Sequence, residues 1–345
     1  FEFYLLFNLN YYYNILFDIK RRVGIMKKYL FLISSISLIV WSCAALIPID
    51  MIPAKDIIIE ATPERISRGN YLANNVTGCM SCHSGTDPSY FGRGLPIEGK
   101  EGAGGFHIKA KMGPMGSMDI YTPNITPAAI GDWTDGELLR SITAGVNNKG
   151  EPLFPIMSYE SYHNMDKEDA YSIVSYIKSL KPIDEIHPKK KIKGMIKLIE
   201  RSMPKPWYPK PKPERTNTVQ YGKYLAKIGD CYSCHSTWSR PGKYKEGMEF
   251  AGGNDFHLPD GVIVRSSNIT PDMETGIGNR SKENFIGLFK SFKEPIKLPD
   301  GQTHENTVMA WSSYAGMTND DLGAIYDYLQ TIKPVNHVVE KYPTK

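Results

Sequence analysis

The chain is short of several things, and each shortage narrows what it can be. Its apolar stretch, Tyr29 to Trp41, is shorter than the ~20 residues a membrane-spanning helix needs. Neither sign of charge dominates: 41 Lys and Arg against 37 Asp and Glu leave a formal +4. A nucleic-acid binder would want a clustered basic face with a reading motif, so nucleic acid is not an expected partner. The one basic cluster, Lys189-Lys190-Lys191-Ile192-Lys193, reads as solvated chain. Cysteine is scarce too, with five in 345 residues. Four of the five fall in two short runs, and only Cys43 is left over.

Those runs are Cys79-Met-Ser-Cys82-His83 and Cys231-Tyr-Ser-Cys234-His235. Each is C-x-x-C-H, the attachment signature of a c-type haem. Two cysteines three positions apart reach the two vinyl groups on one porphyrin edge, and the adjacent histidine then lies under the iron as proximal ligand. Two such runs imply two covalently attached haem c groups.

The runs belong to an internal repeat. Cys79 and Cys231 are 152 positions apart, and the same offset links Met157 to Met309, Met165 to Met317 and Tyr176 to Tyr328. Gly69-Asn-Tyr-Leu-Ala73 matches Gly222-Lys-Tyr-Leu-Ala226, and Asn124-Ile-Thr-Pro127 matches Asn268-Ile-Thr-Pro271. A solenoid repeats every 20–50 residues or so. A period this long indicates two tandem globular domains. The interval from His83 to Met157 is 74 residues, and so is that from His235 to Met309. A thioether suits haem iron, so Met157 and Met309 are the expected sixth ligands. Met165 and Met317 sit at a helix start and are read as packing.

The N-terminal text divides in two. Residues 1–25 show no amphipathic pattern and read as an over-extended frame. From Met26 a basic start, an apolar core and a small residue before Cys43 follow, the pattern of a lipoprotein-type signal over residues 26–42. Lipidation of Cys43 would anchor the protein to a membrane without spanning it.

Helices dominate the expected secondary structure. Thr62-Pro63 opens one helix with Pro at its first position. Thr134-Asp-Gly-Glu137 is a capping box, followed by Leu138, Leu139 and Ile142 on one face and echoed by Phe285, Ile286 and Phe289. The last helix of each repeat is the plainest: Ala170, Ile173, Val174, Ile177 and Leu180, then Leu322, Ile325, Tyr326, Leu329 and Ile332, follow helical spacing. Asp166 and Thr318 are their expected N-caps. Pro204 to Pro213 mark a semi-rigid linker, with room for a short helix near Met195–Arg201. A hairpin is expected around Pro259-Asp260-Gly261.

The order of Gly-x-Tyr-Leu, C-x-x-C-H, Asn-Ile-Thr-Pro, a Met-containing Pro-rich loop and a final Tyr-Ile/Leu helix resembles a class I cytochrome c domain. In tandem it is similar to the cytochrome c subunits of bacterial membrane-bound alcohol and gluconate dehydrogenases. The resemblance implies an all-α fold of two tandem class I cytochrome c domains, at 61–183 and 216–337. A Pro/Lys-rich linker at 184–215 joins them, with a tether at 43–60 and a tail at 338–345. In that family the loops matching Leu153-Phe-Pro-Ile-Met157 and Val308-Met-Ala-Trp311 carry the axial methionine. It further implies an electron carrier on the periplasmic side of the bacterial cell envelope. Its partners would be a dehydrogenase subunit, a quinol-linked complex or an oxidase.

Other readings of the residues remain open here. Four cysteines could make a zinc site. His107 and His257 could serve as alternative haem ligands. Met112, Met115 and Met118 could hold copper(I). A dihaem redox enzyme of peroxidase or thiosulfate dehydrogenase type would need one open or unusually ligated iron.

Overall fold

The computed structural model describes residues 27–29, 32–34, 52–92, 95–240, 243–258, 261–299 and 306–343. The chain divides into two compact units, Phe1–Pro48 and Ile49–Lys345. In the first, residues 27–29 and 32–34 are helical and exposed; the reading of residues 1–25 and of Cys43 lies outside the described residues. Among the described residues no helix is long and apolar enough to cross a membrane.

Six helices frame the second unit: α1 (Pro63–Tyr71), α2 (Asp135–Ala144), α3 (Lys167–Ser179), α4 (Thr218–Ile228), α5 (Lys282–Lys290) and α6 (Asn319–Leu329). Their starts follow the local chemistry. Thr62 accepts from the Arg65 amide, and Thr134 and Glu137 close the capping box in both directions. Asp166 accepts from the Glu168 and Asp169 amides, and Thr318 from that of Asp321. Each bond satisfies an amide that the helix leaves without an internal partner.

Helix α1 lies against α3, and α4 against α6. Both crossings turn on one glycine. A Cβ added at Gly69 would sit 1.9 Å from the Ser172 carbonyl oxygen, and one at Gly222 1.8 Å from that of Ala324. Only glycine permits backbones this close, which explains the first position of the repeated Gly-x-Tyr-Leu text. Leu72 and Leu225, its fourth position, are fully buried. One apolar cluster runs through both repeats, taking in Leu139, Ile173 and Val174 with Ile228, Leu322 and Leu329. Met165 and Met317 are buried within it, as packing residues should be.

The expectation of an all-α fold does not hold. Among the described residues, three small antiparallel sheets accompany the helices. β1 (His107–Lys111) pairs with β2 (Ser117–Tyr121), and β2 with β3 (Lys191–Lys193). β4 (Trp238–Arg240) pairs with β5 (Lys243–Tyr244), and β6 (Asp255–His257) with β7 (Ile263–Arg265). The physical reason is length. The segments between haem motif and Asn-Ile-Thr-Pro are long enough to fold back on themselves and satisfy their own backbone groups. β1 alternates in the manner of an edge, with His107, Lys109 and Lys111 exposed and Ile108 and Ala110 half-buried. β6 and β7 pair on either side of the expected turn; Gly261 has φ 85, while Pro259 and Asp260 lie outside the described residues.

The linker is more than a spacer. Its lysine run supplies β3, which sets Lys191 opposite Asp119 and Ile192 opposite Met118. A short helix follows at Ile196–Ser202, as expected. Farther along, the Trp207 indole donates to the Met165 carbonyl at 3.2 Å.

Candidate haem-binding sites

Each C-x-x-C-H run folds into one short helix, Cys79–His83 and Cys231–His235. Positions i and i+3 share a helix face, so each pair of cysteines is presented on one side. No disulfide ties up these four thiols. Burial pushes the Cys79 thiol up to about 11 and the Cys231 thiol up to about 12, which keeps both neutral. Each helix is entered through a left-handed residue, Gly78 at φ 63 and Asp230 at φ 57.

The histidines are oriented identically. His83 Nδ1 lies 2.9 Å from the Pro123 carbonyl oxygen, and His235 Nδ1 lies 2.7 Å from that of Ser267. A carbonyl only accepts, so Nδ1 carries the proton and donates it. That fixes the tautomer and presents the Nε2 lone pair to a metal. Burial pushes both imidazoles down, with the carbonyl contact opposing, and the rings stay neutral as a metal ligand must.

Pro123 and Ser267 stand directly before the two Asn-Ile-Thr-Pro runs, and the structure explains those runs. The Asn124 side-chain oxygen accepts from the Thr126 amide (2.9 Å) and hydroxyl (2.8 Å), while its Nδ2 donates to the Ile183 carbonyl (2.7 Å). Asn268 repeats this with the Thr270 amide (3.0 Å) and hydroxyl (2.7 Å) and the Val335 carbonyl (2.8 Å). Each asparagine thus clamps the loop holding the histidine's acceptor to the chain beyond the last helix. A second tie runs through the Gly-Gly loops. The Gly104 amide donates to the His83 carbonyl at 2.8 Å, and the Gly252 amide to that of His235 at 2.6 Å. His187 and His337 in turn bond the Ala103 and Ala251 carbonyls at 2.6 and 2.9 Å.

Met157 and Met309 are half-buried at matching turns. The Tyr159 amide donates to the Met157 carbonyl at 2.8 Å, and the Trp311 amide to the Met309 carbonyl at 2.9 Å. A short helix follows each, Tyr159–Tyr162 and Trp311–Ala315. From these the Tyr162 hydroxyl donates to the Thr77 carbonyl at 3.0 Å, and the Tyr314 hydroxyl to the Gly229 carbonyl at 2.8 Å. The methionine turn is thereby linked to the residue two before the first haem cysteine. Tyr162 and Tyr314 were not among the residues singled out from sequence, although they share the 152-residue offset that would have found them.

The two sites lie near each other at the junction of the repeats. A Cβ on Gly229 would meet the Val76 carbonyl at 3.3 Å. Burial pushes the Tyr314 hydroxyl well up, and the thiols that add to this include Cys82 of the first repeat beside Cys231 and Cys234 of its own. The junction is held reciprocally. Tyr71 donates to Asp321 and Tyr224 to Asp169, both at 2.7 Å. These tyrosines are the third position of the repeated Gly-x-Tyr-Leu text.

The competing ligand sets lie elsewhere. His107 is on β1, 2.8 Å from Asp119 and stacked on Tyr121 with centroids 4.2 Å apart. His257 is exposed on β6. Met112 and Met115 flank the β1–β2 turn, while Met118 faces Ala110 within the sheet. Among the described residues no three His, Cys, Asp or Glu side chains gather as a metal site, so the four cysteines do not converge on a zinc position.

No protein-family model matches the chain. It is 28% identical over 291 residues to the cytochrome c subunit of the quinone-dependent alcohol dehydrogenase of Gluconacetobacter polyoxogenes, covering 80% of this chain and 58% of that one. It is 38% identical over 118 residues to the gluconate 2-dehydrogenase cytochrome c subunit of Pantoea cypripedii, covering 34% and 24%. It is 27% identical over 234 residues to a diheme c-type cytochrome of Cereibacter sphaeroides, covering 58% and 73%. The chain spans somewhat more than half the length of the alcohol dehydrogenase subunit it matches. With the attachment runs and their oriented histidines, these relatives support a c-type cytochrome with covalently bound haem c. Among such cytochromes the chain is similar to the cytochrome subunits of dehydrogenases, the class that its sequence resembles.

Proposed function

We propose that this chain is a dihaem electron carrier built of two class I cytochrome c domains, at 61–183 and 216–337. The observation that carries the reading is the duplicated histidine geometry, His83 on Pro123 and His235 on Ser267, each beside its own pair of cysteines. Cys79 and Cys82 would hold one haem, Cys231 and Cys234 the other. When bound, the haem supplies a one-electron couple at iron. The chain's own residues do the rest. His83 and His235 would offer Nε2 to the iron, Met157 and Met309 would supply a thioether as second ligand, and Asn124 and Asn268 hold the loops that orient the imidazoles. With a histidine and a methionine available to each iron, no position would be left for a substrate, and the protein would relay electrons. Both C-x-x-C-H runs lie near the junction of the repeats, which would favour exchange between the haems within one chain. The donor would be a dehydrogenase or quinol-linked complex and the acceptor a terminal acceptor of the cell envelope; with a dehydrogenase as donor, this chain would be its electron-transfer subunit.

Intact mass tests the load: the mature protein should exceed its polypeptide by two haem masses, and acid–acetone should extract neither. One haem or none would sink the reading. Met157→Ala and Met309→Ala should each remove half of the near-infrared thioether-to-iron band of the oxidised protein and lower that haem's potential. Rapid carbon monoxide binding by the reduced wild type at one haem would instead favour an enzyme with an open iron.

The proposal places the carrier on the periplasmic side of the bacterial cell envelope, anchored by a lipid on Cys43. The mature protein should then start at Cys43 and partition into detergent, and Cys43→Ala should release or misprocess it. Mature protein still carrying residues 27–42 would argue for an uncleaved anchor.

A further inference from the structure

A segment of the first repeat lies along the second repeat's methionine turn. The Phe91 amide donates to the Ile296 carbonyl at 2.8 Å, and the Leu298 amide to that of Ser89 at 2.7 Å. Phe91 stacks on Phe292 with centroids 5.6 Å apart, and Phe292 stacks on Trp311 at 4.6 Å. A Cβ on Gly92 would come within 3.0 Å of the Met309 carbonyl oxygen. One polar relay runs from this segment to the methionine. The Asn306 side-chain oxygen accepts from the amides of Gly92 and Thr307, both at 2.7 Å, and the Thr307 hydroxyl accepts from the Met309 amide at 3.2 Å.

The first repeat's methionine turn is held from the opposite side. Asp230 stands immediately before Cys231, and its carboxylate accepts from the hydroxyls of Ser158 (2.8 Å) and Ser161 (2.5 Å), just after Met157. Its backbone is left-handed at φ 57, where the first repeat has Gly78. Aspartate is one of the few residues besides glycine that this conformation tolerates, and here its carboxylate is used for bonds across the junction.

We propose that each axial-methionine turn is held in ligating position with the help of the other repeat: Gly92 of the first repeat anchors Asn306, which positions Met309 through Thr307, and Asp230 of the second positions Met157 through Ser158 and Ser161. The proposal rests on the reading of both methionines as axial ligands. Neither Asn306 nor Asp230 touches the iron; they act through the turns. Ligation at one haem is thereby tied to the integrity of the other domain.

The test uses full-length, haem-loaded protein and two readouts, the near-infrared band and carbon monoxide binding to the reduced form. Outer partners of a metal ligand are worth roughly 10–100-fold in ligation. Asn306→Ala should therefore speed carbon monoxide binding at one haem by about 10-fold or more and draw only on the half of the band that Met309→Ala removes. Asn306→Asp keeps the accepting oxygen and should restore both. Asp230→Gly relaxes the backbone while removing the carboxylate, and should draw only on the Met157 half. The double variant Asn306→Ala/Met309→Ala should lose no more band than Met309→Ala alone. If Met309→Ala and Met157→Ala each halve the band while Asn306→Ala and Asp230→Gly behave as wild type, the positioning role is wrong and the axial reading stands. Equal loss from both halves would show general loosening and overturn the proposal as well. If Met309→Ala leaves the band intact, the axial reading fails and takes the proposal with it.

Discussion

Asp169→Asn should destabilise the protein by about 3–5 kcal/mol, the range for removing one partner of a buried ion pair. The Asp169 side chain is fully buried. Arg68 grips it with two bonds of 3.0 and 2.9 Å, Lys212 reaches it at 2.9 Å, and Tyr224 donates to it across the junction at 2.7 Å. The amide would leave the Arg68 charge without its counterion and Lys212 with Asp166 alone, at 3.4 Å. Burial pushes the Asp169 carboxyl up, but Arg68, Lys212 and Tyr224 outweigh it and hold the carboxyl below its ordinary value. A carboxyl depressed by folding contributes stability above its unfolded pKa, near 4, and loses it as pH falls through the folded value. The gap between wild type and Asp169→Asn in urea midpoint should thus be full at neutral pH and narrow on acidification below about pH 4. A constant gap down to acid pH would show that the carboxylate's charge is not what matters.

Asp169 also shows where sequence reasoning stopped. The helix that carries it was plain from Ala170, Ile173, Val174 and Ile177, all of which the structure buries. The residue itself drew no reading from sequence. Its partners come from three other parts of the chain: Arg68 on α1, Lys212 in the linker and Tyr224 on α4. Nothing in local periodicity encodes such convergence. The haem runs are the opposite case. Their chemistry lies within five consecutive residues, so Cys79, Cys82 and His83 could be named at once. Caps were legible for the same reason, since Thr134 and Glu137 close a box within four consecutive residues.

The sheets were missed because their signal is short. β6 and β7 each span three residues, and β3 is cut from a lysine run whose charge masks its pairing. Only the turn at 259–261 stood out, and there a hairpin was expected. The repeat offset held more than was taken from it. Applied to every residue type, it would have paired Tyr162 with Tyr314 and Asp169 with Asp321. It could not have shown that Tyr71 and Tyr224 bond to the opposite repeat, because a repeat states equivalence and says nothing about contact.

On the proposed two-haem reading, Asn268→Ala should act on stability and on the second haem together. Asn268 is buried and its side chain engages the Thr270 amide and hydroxyl and the Val335 carbonyl. Removing it strands buried polar groups, each worth about 1–3 kcal/mol when unsatisfied. Urea unfolding should lose on the order of 2–4 kcal/mol once part of that is recovered by rearrangement. The loop it clamps carries the Ser267 carbonyl, the acceptor of the His235 Nδ1 proton. That hydrogen bond makes the imidazole a stronger donor to the metal and fixes its plane. Loosening it should shift the potential of the second haem and leave the first nearly unchanged, since Asn124 clamps Pro123 independently. Asn268→Asp separates the two halves of the clamp. It keeps the oxygen that Thr270 bonds but cannot donate to Val335, so it should hold the loop turn while releasing the chain beyond α6. A redox titration in which Asn268→Ala moves neither midpoint, or moves both equally, would show that the motif is structural alone and does not tune the iron through its histidine.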